Sequence, residues 1–176
     1  MISINRGDCP EKLAGGSSAQ DRYAHREVVD ALHLMQYGKC CYCELEISDE
    51  GHGKAVEHFA PKAVFEGRRN DWENLLLACA QCNGKKSDDF PVEMLTDELD
   101  EPKVMYLTKP TSGTPLVINP SDPSIDPEAH LDFVLDDTNR SDYGLIYAKA
   151  KSKMADIRFK CSDLIVRIIP ESIETT

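Results

Sequence analysis

Cys40-Cys41-Tyr42-Cys43, Val56-Glu57-His58-Phe59-Ala60-Pro61 and Cys79-Ala80-Gln81-Cys82-Asn83 are the three pieces of one stretch on which the reading of this 176-residue chain turns. The two Cys-x-x-Cys pairs lie 35 residues apart. Such a turn lets two sulfurs converge on one ion, and two turns close the tetrahedral shell of a structural Zn²⁺ site. With Cys40, Cys43, Cys79 and Cys82 as ligands no place is left open. The zinc is therefore expected to be structural and to stabilise a module with a small core. Cys41 offers only a Cys-x-Cys spacing to Cys43, while Cys9 and Cys161 have no partner motif and read as small apolar residues.

Between the pairs stands Glu57-His58. Neighbours on a strand point to opposite faces, so both side chains reach one site only where the strand ends or kinks. Pro61, which cannot donate to a ladder, supplies the break shortly afterwards. Cleaving a phosphodiester calls for a base to deprotonate water and a cation to neutralise charge on the phosphate and the leaving oxygen. His58, titrating near neutrality, suits the base. Glu57 and the amide oxygen of Asn83 are hard ligands suited to Mg²⁺ or Mn²⁺. Lys54, Lys62, Arg68, Arg69, Lys85 and Lys86 flank this segment, and the last five are candidates for gripping phosphates on either side of the scissile bond. Trp72 reads as core packing.

Working outward, the pattern predicts an α+β chain in three parts: an arm and helix over 1–38, the zinc-clipped core over 39–92, and an acidic extension over 93–176. Gly7, Pro10, Gly15 and Gly16 make 5–20 an irregular arm. A helix is expected from Asp21 to about Tyr37, with Val28, Ala31, Leu32 and Met35 on one face and Gly38 as its stop. His25 and His33 lie two turns apart on it, too far for a shared ligand pair, and read as surface or packing residues. The core should run strand, loop, strand, helix, with the helix over Gln81–Asp89. Beyond it, Leu116–Ile118, Leu131–Leu135 and Leu145–Ala148 read as short strands. The terminal run Met154, Ile157, Cys161, Leu164, Ile165, Ile168 reads as an amphipathic helix.

Twenty basic against 31 acidic residues give a net charge of −11, which repels a free phosphate backbone overall. The excess is local: residues 93–142 hold twelve acidic and three basic residues, residues 143–176 four and six. If the chain acts on nucleic acid, a basic partner is expected to present the substrate. No run approaches the ~20 apolar residues of a membrane span. Met1–Arg6 lacks a secretory pattern, so reduced cysteines and a cytoplasmic location are expected.

Taken together, Cys40-x-x-Cys43, Glu57-His58-x-x-Pro61, Asn74-Leu75, Cys79-x-x-Cys82-Asn83 and Lys85-Lys86 resemble the HNH endonuclease family, whose core is a ββα-metal fold. The resemblance implies that Glu57 binds the divalent metal, His58 is the general base, Asn74 pins the hairpin loop and the histidine, and Asn83 on the helix completes the metal site. One departure is that many such enzymes have Asp where this chain has Glu57, one methylene longer. The fuller pattern includes Ile4-Asn5-Arg6, Val56-Glu57-His58-Phe59-x-Pro61-Lys62 and Asn119-Pro120…Asp126-Pro127-Glu128…His130. It is similar to the HNH subunits of Septu-type anti-phage systems, which also occur beside some retrons, and implies a regulatory ATPase subunit as partner. The direct reading of residues 119–130 is a Pro-rich structural turn with a capping Asp. The expectation is thus a metal-dependent HNH endonuclease cutting DNA or tRNA within an anti-phage complex. The alternative is a non-catalytic, zinc-stabilised interaction module on the same scaffold.

Overall fold

Leu75–Cys79 forms strand β2 and is buried along its whole length, which is why its sequence is continuously apolar instead of alternating. We describe the chain from a computed structural model covering residues 3–14, 21–48, 53–94, 103–111, 113–136 and 145–150. Strand β1, Lys54–His58, pairs antiparallel with β2, setting Glu57 opposite Leu76 and His58 opposite Leu75. The other edge of β2 is covered by side-chain and loop groups. Buried Gln36 donates to Leu77 O (2.8 Å) and accepts from Leu77 N (2.7 Å), and Cys41 N donates to the same carbonyl (3.0 Å). A two-stranded ribbon is marginal alone, and these bonds give it a substitute third strand.

Helix α1, Arg26–Met35, packs on β2 with Val28 and Leu32 fully buried and Ala31 and Met35 partly so. The helix starts later than its sequence suggests. Residues Arg22–Ala24 form a separate 3₁₀ turn, and His25 caps α1 by accepting from Glu27 N at 3.3 Å. The reason lies in Asp21, whose carboxylate makes no cap and instead pairs with Arg69 Nε at 2.7 Å. At the other end Gly38, at φ +71°, donates to His33 O (2.9 Å) and closes the helix. The ring of His33 lies within 3.2 Å of where a Cβ on Gly38 would stand.

Helix α2, Ala80–Lys86, follows β2 without a loop and packs on both strands, so the order is strand, loop, strand, helix. Beyond it, β3 (Pro91–Met94) lies between β4 (Lys103–Tyr106) and β5 (Thr114–Pro115), and runs across residue 92. Sequence periodicity misses β3 and β4, and it places a strand at Leu116–Ile118, where the chain bends at Val117 just after β5 and the backbone bond nearest a ladder is Leu116 N–Pro91 O (2.9 Å). These three residues are nonetheless buried, so their apolarity reports packing and not a ladder. A short helix α3 (Pro127–His130) leads into the hairpin of β6 (Leu131–Asp136) and β7 (Leu145–Ala150), the two other expected strands. The terminal amphipathic segment and Cys161 lie outside the described residues. Cys9, read as a small apolar residue, is at the surface. No helix among the described residues is long and apolar enough to cross a membrane.

Candidate metal centres and hydrolytic site

The knuckle Cys40–Cys43 is held by Cys40 N–Leu45 O (3.0 Å) and Glu44 N–Cys40 O (3.0 Å), and it faces the β2–α2 junction. There Cys79 caps α2, its sulfur accepting from Cys82 N at 3.4 Å. The four sulfurs of Cys40, Cys43, Cys79 and Cys82 lie within 4.8 Å of one another, and all four residues are buried. A tetrahedral Zn²⁺ with Zn–S near 2.3 Å sets sulfurs about 3.8 Å apart. Cys43 Sγ and Cys79 Sγ stand at 3.9 Å, so the donor set fits zinc. The thiols perturb one another. Hydrogen bonds from Cys41, Cys43 and Cys82 hold Cys40 far below the usual thiol range, and the bond to Cys40 pushes Cys43 up to about 12. A closed four-thiolate shell lets all the ligands ionise together around the cation.

Beside this clip sits Glu57, 2% exposed. Its Oε1 accepts from the Tyr42 hydroxyl (2.9 Å) and pairs with Lys86 Nζ (2.7 Å), which also donates to His58 O (3.1 Å). Burial raises the Glu57 carboxyl above its ordinary range, while Lys86 and the Tyr42 hydroxyl act against that rise. Tyr42 therefore links the zinc knuckle to the carboxylate. Lys86, read as a phosphate contact, is instead 7% exposed and committed to Glu57. The cause is helical geometry: Lys86 lies one turn after Cys82 on the buried face of α2, while Lys85 faces out.

His58 ends β1, and its ring has different neighbours from Glu57, as strand alternation requires. Its Nε2 lies 2.9 Å from Arg69 O, and the Tyr23 ring meets it edge-on with centroids 4.6 Å apart. A carbonyl only accepts, so Nε2 carries the hydrogen and the lone pair of the neutral ring is at Nδ1. Burial lowers the His58 pKa. The Arg69 carbonyl opposes this, and the charges of Lys62, Lys86 and Arg69 add to it.

Asn74 is wholly buried and fixes the loop between the strands. Its Oδ1 accepts from Ala60 N (2.8 Å), its Nδ2 donates to Ala60 O (2.9 Å) and Arg68 O (3.2 Å), and its carbonyl receives Phe59 N (2.9 Å). The loop that presents Arg69 O is thus tied to the residues just after His58. Asn83, half-buried on α2, makes no side-chain hydrogen bond among the described residues.

A strand–loop–strand–helix unit with a four-cysteine clip, Glu-His at the end of the first strand and a buried Asn in the loop matches a known family. The HNH endonuclease family model covers residues 40–89. Residues 40–89 are an HNH endonuclease-family domain. The chain is also similar to two proteins named Septu protein PtuB. The one from Bacillus thuringiensis is 38% identical over 95 residues, covering 49% of this chain and 37% of the relative. The one from Bacillus mycoides (strain KBAB4) is 29% identical over 165 residues, covering 86% of this chain and 51% of the relative. The chain spans between about a third and a half of the length of these relatives. No solved structure matches it significantly.

Around the HNH domain the basic candidates differ in availability. Arg68 pairs with Asp71 (2.9 Å) and Arg69 with Asp21 (2.7 Å), while Lys62 donates to the Tyr23 hydroxyl with its ammonium 4.5 Å from that ring's centroid. Lys85 is exposed and makes no ion pair or hydrogen bond among the described residues. Trp72 is core, its indole N–H donating to Gly7 O at 3.0 Å. Sequence reading missed Tyr42 and Tyr23, because contacts across 15 and 35 residues leave no local pattern.

Proposed function

We propose that the chain is a metal-dependent endonuclease that hydrolyses phosphodiester bonds of DNA or tRNA, with His58 as general base. The observation that carries this reading is the Nε2–Arg69 O contact of 2.9 Å, which leaves Nδ1 of the neutral ring as the proton acceptor. Depression of the His58 pKa by burial keeps the ring neutral at pH 7, as a base must be. Arg69 O and Asn74 orient the ring, and Nδ1 takes the proton of the attacking water.

Glu57 and Asn83 would hold Mg²⁺ or Mn²⁺. Both offer hard oxygen donors: the Asn83 amide makes no hydrogen bond among the described residues, whereas the buried Glu57 carboxylate is paired with Lys86 at 2.7 Å, so an ion taken up there would displace that ammonium. When bound, such an ion supplies charge neutralisation on the phosphate and leaving oxygen. Lys85, exposed at the end of α2, is the phosphate contact best supported by its surroundings, with Lys62, Arg68 and Arg69 at the rim.

Kinship with proteins named Septu protein PtuB supports placing this nuclease in an anti-phage defence complex. A net charge of −11 favours a partner that delivers substrate, and a regulatory ATPase subunit is the partner we propose. The test compares wild type with His58→Ala on plasmid DNA and total tRNA in Mg²⁺ or Mn²⁺. Cleavage by wild type alone is expected. Equal cleavage by both proteins refutes the assignment. Silence from both, together with no Mn²⁺ binding in a calorimetric titration, favours a non-catalytic interaction module.

A further inference from the structure

Two sequence features outside the HNH domain, Ile4-Asn5-Arg6 and Asn119-Pro120-Ser121, meet each other on its surface. Ile4 N donates to Pro120 O at 2.7 Å. Between them the guanidinium of Arg6, with 9% of its side chain exposed, donates to the carbonyls of Trp72, Glu73 (3.1 Å) and Leu75 (2.9 Å) and to Ser121 Oγ (2.9 Å). Ser121 is turned to receive it, because its own hydroxyl donates to Asn119 Oδ1 at 2.9 Å. The missing carbonyl in that series, Asn74 O, takes Phe59 N. Arg6 therefore grips the backbone on both sides of Asn74, over separations of 66 to 69 residues.

We propose that Arg6, braced by Ser121 and Asn119, is a positioning residue for His58, acting through Asn74. The chain of contacts is continuous. Arg6 fixes residues 72–75, Asn74 holds the Arg68 and Ala60 carbonyls, and the adjacent Arg69 carbonyl holds His58 Nε2. A forked guanidinium reaches several carbonyls at once in fixed directions, which a lysine ammonium on a flexible stem does not. A purely stabilising clamp would be indifferent to which ring nitrogen of His58 carries its hydrogen. A positioning residue is not. The inference rests on His58 being the base, and it makes residues 4–6 and 119–121 part of the working nuclease although neither lies within residues 40–89.

The experiment uses the full zinc-loaded chain with ¹⁵N-labelled histidine, recorded at a pH where the rings are neutral. Wild type is expected to show His58 in the Nε2–H form. Arg6→Ala, with zinc content and a cooperative unfolding transition retained, is expected to lose that preference, and Arg6→Lys is expected to restore it only partly. A folded Arg6→Ala protein with the wild-type His58 signature overturns the proposal. If the alanine variant does not fold, Arg6→Lys decides alone, and an unchanged signature there is equally fatal. The base assignment fails separately, through cleavage by His58→Ala, whatever the Arg6 variants show.

Discussion

Replacing Lys86 by Met removes the ammonium that lies 2.7 Å from Glu57 while keeping an unbranched stem of similar length. Both side chains are nearly sealed, 8% and 3% exposed, so water cannot take over the contact. Breaking a buried pair from one side costs about 3–5 kcal/mol, because the remaining charge is stranded. Here protonation of Glu57 sets a ceiling. Holding a carboxyl with an unfolded pKa near 4.3 neutral at pH 7 costs about 3.7 kcal/mol, and at pH 5 about 1 kcal/mol. Loss of the Lys86–His58 O bond adds ~1 kcal/mol, roughly offset by the buried Met methyl. The sign follows from linkage. Glu57 in the variant has a folded pKa raised above its unfolded value, so its stability is full below about pH 4.3 and falls as pH rises. The expected loss is therefore about 3–4 kcal/mol at pH 7, shrinking to about 1 kcal/mol at pH 5. Urea unfolding followed by fluorescence of Trp72, the single tryptophan, measures it with zinc held in excess. Adding Glu57→Gln to Lys86→Met should restore part of the loss at pH 7. A loss under about 1 kcal/mol at pH 7, or one that does not change with pH, would show that Glu57 and Lys86 are not a buried pair of this kind.

Three further outcomes are expected. Zinc removal by a chelator, or Cys79→Ser, should abolish the cooperative Trp72 transition, since the clip joins the knuckle to the β2–α2 junction; an unchanged melting temperature without zinc would refute a structural site. Because burial depresses the His58 pKa, the acid limb of kcat/KM should fall below about pH 6.5, the unperturbed value. By the same sign, this histidine's contribution to stability is present above about pH 6.5 and lost as pH falls through the folded value. An acid limb centred above about 6.5 contradicts this. Asn74→Ala leaves the buried Ala60 N–H and C=O unpaired and should cost roughly 2–4 kcal/mol in denaturant unfolding, along with cleavage; a cost under about 0.5 kcal/mol would mean water or a shifted loop replaces the amide.

Much of the site was legible because its grammar is local. A Cys-x-x-Cys turn sets sulfur spacing within four residues, so the ligands Cys40, Cys43, Cys79 and Cys82 could be read without a fold. The break at Pro61 marked the end of the first strand, and the order strand, loop, strand, helix is the one the chain adopts. Where reading went astray, the deciding contact lay elsewhere in the chain. Asp21 sits in sequence like a helix cap, yet a cation 48 residues away took its carboxylate and the helix began at Arg26. Leu116–Ile118 has strand composition, but composition registers burial, and ladder pairing depends on a neighbour the sequence does not name.

The sequence by itself determined a four-cysteine clip, a Glu-His dipeptide at a strand end and the HNH-family segment, since each depends on residues close in the chain. Only the tertiary structure decided what the cations do. Lys85 and Lys86 are indistinguishable neighbours in sequence, but a helical step of about 100° turns one to solvent and the other into a buried pair with Glu57. Arg6 looked like part of an irregular arm. Its partners lie 66 to 115 residues away, and folding alone brings that guanidinium to the loop that holds His58.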